Sequence, residues 1–491
     1  MKNASTILAL LTVATLPGCG ARDPDPVPTT VAVAEQIPRP GPGIDLAGPV
    51  PLPDRRGARR DRGAAAPASL DLAADRAVVH IAVPVPPRGG SVGFTFGDER
   101  TGWVARIPDT LQLPAVAYGA GRVYVSGGFD SVSFYALDAE TGRIEWATTN
   151  LEDNGPTAAV FDDGRVLFNT ESCTLFALDA RTGRRLWLRN LGDPTLAQVA
   201  TADGLVYASH PGAGGQELTA YRVADGAPMW TRAIGAELLA APVIAGDAVY
   251  ATNLRGVVFR FARPTGKLAW ARALAATTAP WIAGDELFVT RRRGRGEQQI
   301  VVAAGTGAVL REHDPSTGHY AGDVPDRVGA IGDGSWQAVW AFEGSRPVVD
   351  RGVRYVAMGG EIRASDATTG ELLWQRRSPG SPGSPGTVDR RSVGSVALAG
   401  SEVVIATRDG QLFGLDVDTG YTLWSYAIGH RVVAEPIIAR GWLYASTADG
   451  YVVALQVGDR TLDGWHMFGG NPRHDGPVVD REPVFHTASQ L

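Results

Sequence analysis

An all-β fold, made by repeating one small antiparallel sheet around a ring, is what this sequence predicts. Three observations carry the prediction. One strand–turn–strand pattern recurs along most of the chain. Gly (61) and Pro (33) are abundant in the 491 residues and punctuate many short elements. The two ends of the patterned region hold complementary halves of one repeat. A length of 491 residues would suggest about three domains at roughly 150 residues each, but a ring of repeats runs long as one domain.

The clearest copy of the repeat is Ala136-Leu137-Asp138-Ala139-Glu140-Thr141-Gly142, ending in Trp146. Others are Ala177-Leu178-Asp179 to Gly183 with Trp187, Ala364-Ser365-Asp366 to Gly370 with Trp374, and Gly414-Leu415-Asp416 to Gly420 with Trp424. Degenerate copies end in Gly226 with Trp230 and Gly266 with Trp270, and the copy at Gly307 has Arg311 at the tryptophan position. Alternating apolar residues lead into each Asp-x-x-Thr-Gly turn, where Asp and Thr bond local amides and Gly supplies positive φ. A second hairpin signal lies upstream, as in Ala241 to Tyr250 and Glu435 to Tyr444. Four short strands per copy make one propeller blade.

Counting turn glycines 142, 183, 226, 266, 307, 370 and 420 gives seven copies. Glu435 to Leu455 adds the first three strands of an eighth, and Phe94 to Ile107 adds a turn at Gly102 and a last strand. The two fragments are expected to pair, closing an eight-bladed β-propeller of four-stranded blades with strands from both ends and leaving no open sheet edge at the seam. The long interval between Gly307 and Gly370 carries an insertion at 308–345, a candidate recognition element.

Residues 1–18 read as an export signal: Lys2, then a short apolar stretch from Ile7 to Leu16, too short to span a bilayer. Leu16-Pro17-Gly18-Cys19 resembles a bacterial lipobox, which implies lipidation of Cys19 and a durable membrane anchor. By the sorting rules of such lipoproteins, Gly20 implies the outer membrane. Residues 19–75, dense in Pro, read as a disordered tether, and the Arg55 to Arg62 cluster as a solvated charge run. The ring then occupies 76–460 and a C-terminal tail 461–491.

The recurring Ala-x-Asp-x-x-x-Gly-x-x-x-Trp resembles the tryptophan-docking motif of the PQQ-type (quinoprotein-like) β-propeller superfamily. The resemblance implies that Trp146, Trp187, Trp230, Trp270, Trp374 and Trp424 each stack near the turn of the neighbouring blade. Function does not follow from fold. One branch of the superfamily comprises PQQ- and Ca²⁺-dependent alcohol and sugar dehydrogenases, with the quinone over the central channel. Many of these carry a disulfide of adjacent cysteines, which Cys19 and Cys173, the only two here, cannot form. The other branch comprises BamB-like lipoproteins, eight-bladed scaffolds that assist β-barrel insertion at the periplasmic face of the outer membrane. The lipobox, blade number and absence of an evident catalytic cluster place this chain nearer the second.

The net charge of −6, with both signs mixed, argues against a nucleic-acid partner. The expectation is therefore a scaffold, not an enzyme, with no cofactor and no metal. Its partners would be envelope proteins held by loops on one face or by strand edges. A quinoprotein dehydrogenase and a binder of envelope polysaccharide or peptide remain alternatives. Four further features are noted. Cys173 reads as a small buried hydrophobe. His313 and His319 in the insertion are too few for a metal site. Arg291 to Arg295 reads as a solvated hairpin loop. The tail Trp465 to Gly476 resembles Trp-x-x-Phe-x-Gly segments flanking propellers of the superfamily; packing of Trp465 and Phe468 on a propeller face is weighed against a ligand site using His466, Asn471, Arg473 and His474.

Overall fold

The computed structural model describes residues 70–476 apart from 110, 172–173, 193–196, 214, 294–295, 314–346, 359–360, 379–395 and 433. Cys19, Cys173, His319, Arg295 and most of the 308–345 insertion therefore lie outside the described residues.

Every regular element among the described residues is a strand, and the strands form eight sheets in a ring. Blades 2 to 8 each take four consecutive strands, running outward from a first strand at the channel: Ala117–Gly119, Val160–Asp162, Ala200–Ala202, Val243–Ala245, Trp281–Ala283, Val348–Asp350 and Ala397–Ala399. Blade 1 is the seam. Its first three strands are Ile437–Ala439, Trp442–Ser446 and Tyr451–Gln456, and its fourth is Arg100–Arg106 from the other end of the chain. Val453 faces Val104 and Ala454 faces Trp103 across that junction. The complementary fragments thus pair as expected, and the ring closes.

The core lies between blades, where the apolar faces of adjacent sheets meet. Phe134 of blade 2 stacks on Phe168 of blade 3, with centroids 4.4 Å apart. Each turn is stapled by its own side chains: Asp138 Oδ1 accepts from Thr141 N at 2.8 Å and Thr141 Oγ1 at 2.7 Å, and Asp179, Asp366 and Asp416 repeat the arrangement. The seven turn glycines 142, 183, 226, 266, 307, 370 and 420 have φ from 65° to 76°.

Four sequence expectations change. Gly102 is not a turn residue: it sits inside strand Arg100–Arg106, opposite Leu455 and Phe94. The seam falls between the third and fourth strands of blade 1, so the turn that Gly102 would make does not exist there. Its missing side chain instead makes room for the Phe94 ring. Residues 70–75 belong to the ring and not to the tether, because Leu70–Asp71 pairs with Arg376 and Arg377, and Leu72 is fully buried. Arg291, Arg292 and Arg293 extend strand Glu286–Arg293 where a loop was expected. Pairing with Gln298 and an ion pair to Glu312 at 2.9 Å prolong the hairpin at Arg291. The fourth change, at Trp424, concerns the interblade contacts below.

Candidate functional site: a plugged central channel

The inner edges of the first strands face the channel and carry backbone groups that need partners. The tail supplies them. From Leu462, whose carbonyl accepts from Gly441 N at 2.7 Å, the chain turns into the ring. Trp465 N donates to Ile438 O and Trp465 O accepts from Ile438 N on blade 1. Tyr118 N of blade 2 donates to His466 O at 2.6 Å, Thr201 N of blade 4 to Pro472 O at 2.8 Å, and Ile244 N of blade 5 to Arg473 O at 3.0 Å. Twelve residues thus bridge four blades through the channel.

Side chains complete the plug. Trp465, fully buried, stacks on Trp281 of blade 6 with the rings 7° from parallel. Its indole N–H donates to Glu435 Oε1, which also accepts from Gly469 N at 2.9 Å. Glu435 is a buried acid whose partners include the tail itself. His474 is fully buried and places Nδ1 2.8 Å from Phe468 O and Nε2 2.9 Å from Val199 O. Asn471 Nδ2 donates to Gly476 O at 2.7 Å. His466 Nε2 lies 2.7 Å from Asp463; burial would raise that carboxyl, but the His466 ring and the amides of Arg440 and Gly464 hold it below its usual range. Of the four tail residues weighed as ligands, Asn471 and His474 are thus committed to internal bonds, and His466 and Arg473 contribute backbone to the ring.

The tryptophans form a second system. Indole N–H groups of Trp146, Trp187, Trp230, Trp270 and Trp374 donate to Ala180, Val223, Arg263, Ala304 and Val417 carbonyls of the following blade at 2.8–3.0 Å. Trp103 does the same to Ala139 at 3.0 Å. Trp103 was not read as a docking residue, although it lies in register four residues after Glu99, because Glu99 and not a glycine holds the turn position, with φ 62°. Trp424 is the exception: its indole bonds Glu402 Oε2 of its own blade at 2.7 Å. The next blade is the seam, which has no third-to-fourth turn to receive it. Arg311 replaces the missing tryptophan of blade 6, reaching Ala367 O at 3.2 Å while clamping Glu286. A further signal went unread. Two residues beyond the tryptophan, Arg189, Arg232, Arg272 and Arg376 donate to the turn carbonyls of Gly226, Gly266, Gly307 and Gly420. The Trp-x-Arg spacing was visible in the sequence. His313 holds that position in blade 6, beside Gly370; burial, with Arg354 and Arg311 nearby, lowers its pKa.

A family model described as outer membrane protein assembly factor BamB matches residues 90–313 and 359–471, which takes in the first part of the plug, Trp465 to Asn471. Outer membrane protein assembly factor BamB of Yersinia pestis is 25% identical over 289 residues, covering 55% of this chain and 65% of that protein. The chain therefore spans less than two thirds of that relative's length in the match. The dehydrogenase subunit of a quinone alcohol dehydrogenase from Gluconobacter oxydans is 33% identical over 157 residues, covering 27% of this chain and 20% of that protein. Among solved structures, BamB from Moraxella catarrhalis covers 74% of this chain and 100% of its own, with a TM-score of 0.54 and 18% identity.

Proposed function

The chain belongs to the family described as outer membrane protein assembly factor BamB, and from that premise we propose that it is a non-catalytic binding scaffold of the bacterial cell envelope. The observation that carries this reading is the plug. In quinoprotein dehydrogenases, which this chain resembles in part, the quinone is expected over the central channel. Here Trp465 to Gly476 fill that channel and bond the inner strands. Glu435, the buried acid there, is engaged by the Trp465 and Gly469 N–H groups. Among the described residues no three acidic, histidine or cysteine side chains converge as cation ligands. The filled channel and the engaged acid support a scaffold over a quinone–calcium site.

The scaffold would be held by lipid on Cys19 at the periplasmic face of the outer membrane, with residues 20–69 as spacer. Its partners would be envelope proteins, including components of β-barrel assembly, consistent with the family description. The quinoprotein relative keeps one alternative in play, dye-linked oxidation of an alcohol or sugar.

Calorimetric titration of the full chain with PQQ in millimolar Ca²⁺ separates the two. The scaffold reading expects no heat of binding, and cross-linking in outer membranes is expected to capture envelope proteins. One-to-one PQQ binding would overturn it.

A further inference from the structure

The space between blades 6 and 7 is built from different residues than the other seven. The second residue of each blade's second strand faces the preceding blade and pairs with a residue of the third strand. In seven blades that pair is apolar or aromatic and buried, as in Val123 with Leu137 or Val249 with Phe261. In blade 7 it is Arg354 with Ser365.

Blade 6 departs on the facing side. The third-strand residue that meets the following blade is apolar and fully buried in seven blades, as Phe134 is in blade 2 and Leu175 in blade 3. In blade 6 it is Gln299, 2% exposed. Arg311 stands at the tryptophan position and reaches Ala367 O of blade 7, and His313 stands at the arginine position beside Gly370. All these departures face one crevice. Val356 of blade 7 is half-buried there, whereas its counterpart Phe168 in blade 3 is fully buried against Phe134.

The polar groups of the crevice are incompletely bonded. Gln299 Oε1 and Nε2, Arg311 Nε, His313 Nε2 and Arg363 Nε are buried atoms without a hydrogen-bond partner, a state that folded proteins seldom leave uncompensated. Most of them are N–H donors, so they call for a ligand rich in acceptors. The charges call for the same. Among the described residues, Arg311, Arg354, Arg363 and Arg377 stand against two carboxylates there. Glu286 is clamped by Arg311, and Glu361 is shared by Arg363 and Arg377. Asp366 is engaged by Thr369 in its own turn.

We propose that the crevice between blades 6 and 7 binds a small oxyanion, a phosphate or carboxylate group. Its oxygens accept from Arg311 Nε, His313 Nε2 and the Gln299 amide, and Arg354 and Arg363 supply further positive charge. Guanidinium groups suit such oxygens in both geometry and charge. The site lies outside the channel and does not depend on the scaffold reading.

Isothermal titration of the full chain with inorganic phosphate and, separately, with acetate at low ionic strength tests this. Saturable one-to-one binding of at least one anion is expected, and none of glycerol, which is neutral. Two variants rebuild the apolar crevice with residues used elsewhere in the ring: Arg354→Val with Ser365→Leu, as in blade 2, and Gln299→Leu, as in blade 3. Each is expected to weaken binding at least tenfold without lowering the thermal unfolding temperature. Arg255→Gln, at an exposed position of blade 5, is expected to leave the affinity unchanged. A second readout uses the unaltered chain. Burial and the Arg354 and Arg311 charges hold the His313 pKa down, and a bound anion is expected to raise it in an NMR titration. Absence of saturable binding overturns the proposal. So does binding that survives both variants, which would place the anion elsewhere. Binding that appears only after deletion of residues 315–345 also overturns it, because the chain's own insertion would then be the occupant.

Discussion

The inner and outer edges of the blades meet different fates. At the channel, the tail satisfies first strands on blades 1, 2, 4 and 5 and seals the space with Trp465. At the rim, residues 70–96 form a strap that covers blades 7, 8 and 1, and among the described residues nothing pairs with the other five outer strands. The consequence is visible in burial. On blade 8, whose rim is strapped, Thr422 and Trp424 to Ala427 are all buried; on blade 5, which is open, Leu268, Ala269, Arg272 and Ala273 are all exposed. A propeller whose centre is filled in cis has its available surface at the periphery and on its faces, which is where a scaffold needs it.

The largest expected effect breaks the inner half of the comparison. Trp465→Ala removes a fully buried ring, its stack on Trp281 and the donor to Glu435. Stability is expected to fall by about 3–5 kcal/mol, with Gly469 to Gly476 becoming protease-sensitive before the ring unfolds. Denaturant titration with limited proteolysis measures both. A loss below about 1 kcal/mol would mean that the tail only lies in the channel and does not brace it.

The next effect breaks the outer half. Leu72→Ala empties a buried site between blades 7 and 8 and is expected to cost about 2–3 kcal/mol. Hydrogen exchange should then rise at Thr422, whose amide is bonded to Asp75, while Ala233 and Ala273 in the outer strands of blades 4 and 5 stay as they were. Protection unchanged at Thr422 would show that the strap does not cover that edge.

A finer cut compares one side chain in two settings. Arg376 and Arg272 both donate to the turn carbonyl of the next blade, at 2.6 Å and 3.1 Å. Arg376 is buried under the strap and lies 3.4 Å from Asp75, whereas Arg272 is exposed. Arg376→Ala is expected to cost about 2 kcal/mol, since it strands a buried acceptor and a carboxylate. Arg272→Ala is expected to cost under about 1 kcal/mol. Equal costs in thermal unfolding would mean that strapping changes nothing beneath it.

Much of this was legible in the residues, and the exceptions share causes. Seven glycines and the in-register tryptophans set the blade period, and the halves at Glu435 and Phe94 predicted the seam. The seam also explains two of the four changed assignments. Gly102 and Trp424 follow the motif in sequence, but the turn they require is cut open where the chain begins and ends its ring. The plug was legible as a distinctive stretch but not as a channel filler. Its bonds to Ile438, Tyr118, Thr201 and Ile244 use backbone, which leaves no trace in residue type. The strap was missed because Leu70–Asp71 and Val79–His80 are too short to show alternation, and Leu70 sits beside a Pro- and Arg-rich run.

The faces between the two edges give the smallest effect. Glu171, near the start of a strand in blade 3, is half-buried; burial, with Asp130 and Asp153 nearby, lifts its pKa from 4.5 to about 7. A raised carboxyl favours the protonated form in the folded ring. Stability from this group is therefore full below about pH 4.5 and lost as pH rises through about 7. Solvent screening at a half-buried site holds the effect to about 1 kcal/mol. Glu171→Gln is expected to flatten that part of the stability–pH curve and to raise stability at pH 8 by about the same amount. A slope between pH 5 and 7 that persists in Glu171→Gln would move its origin to another group.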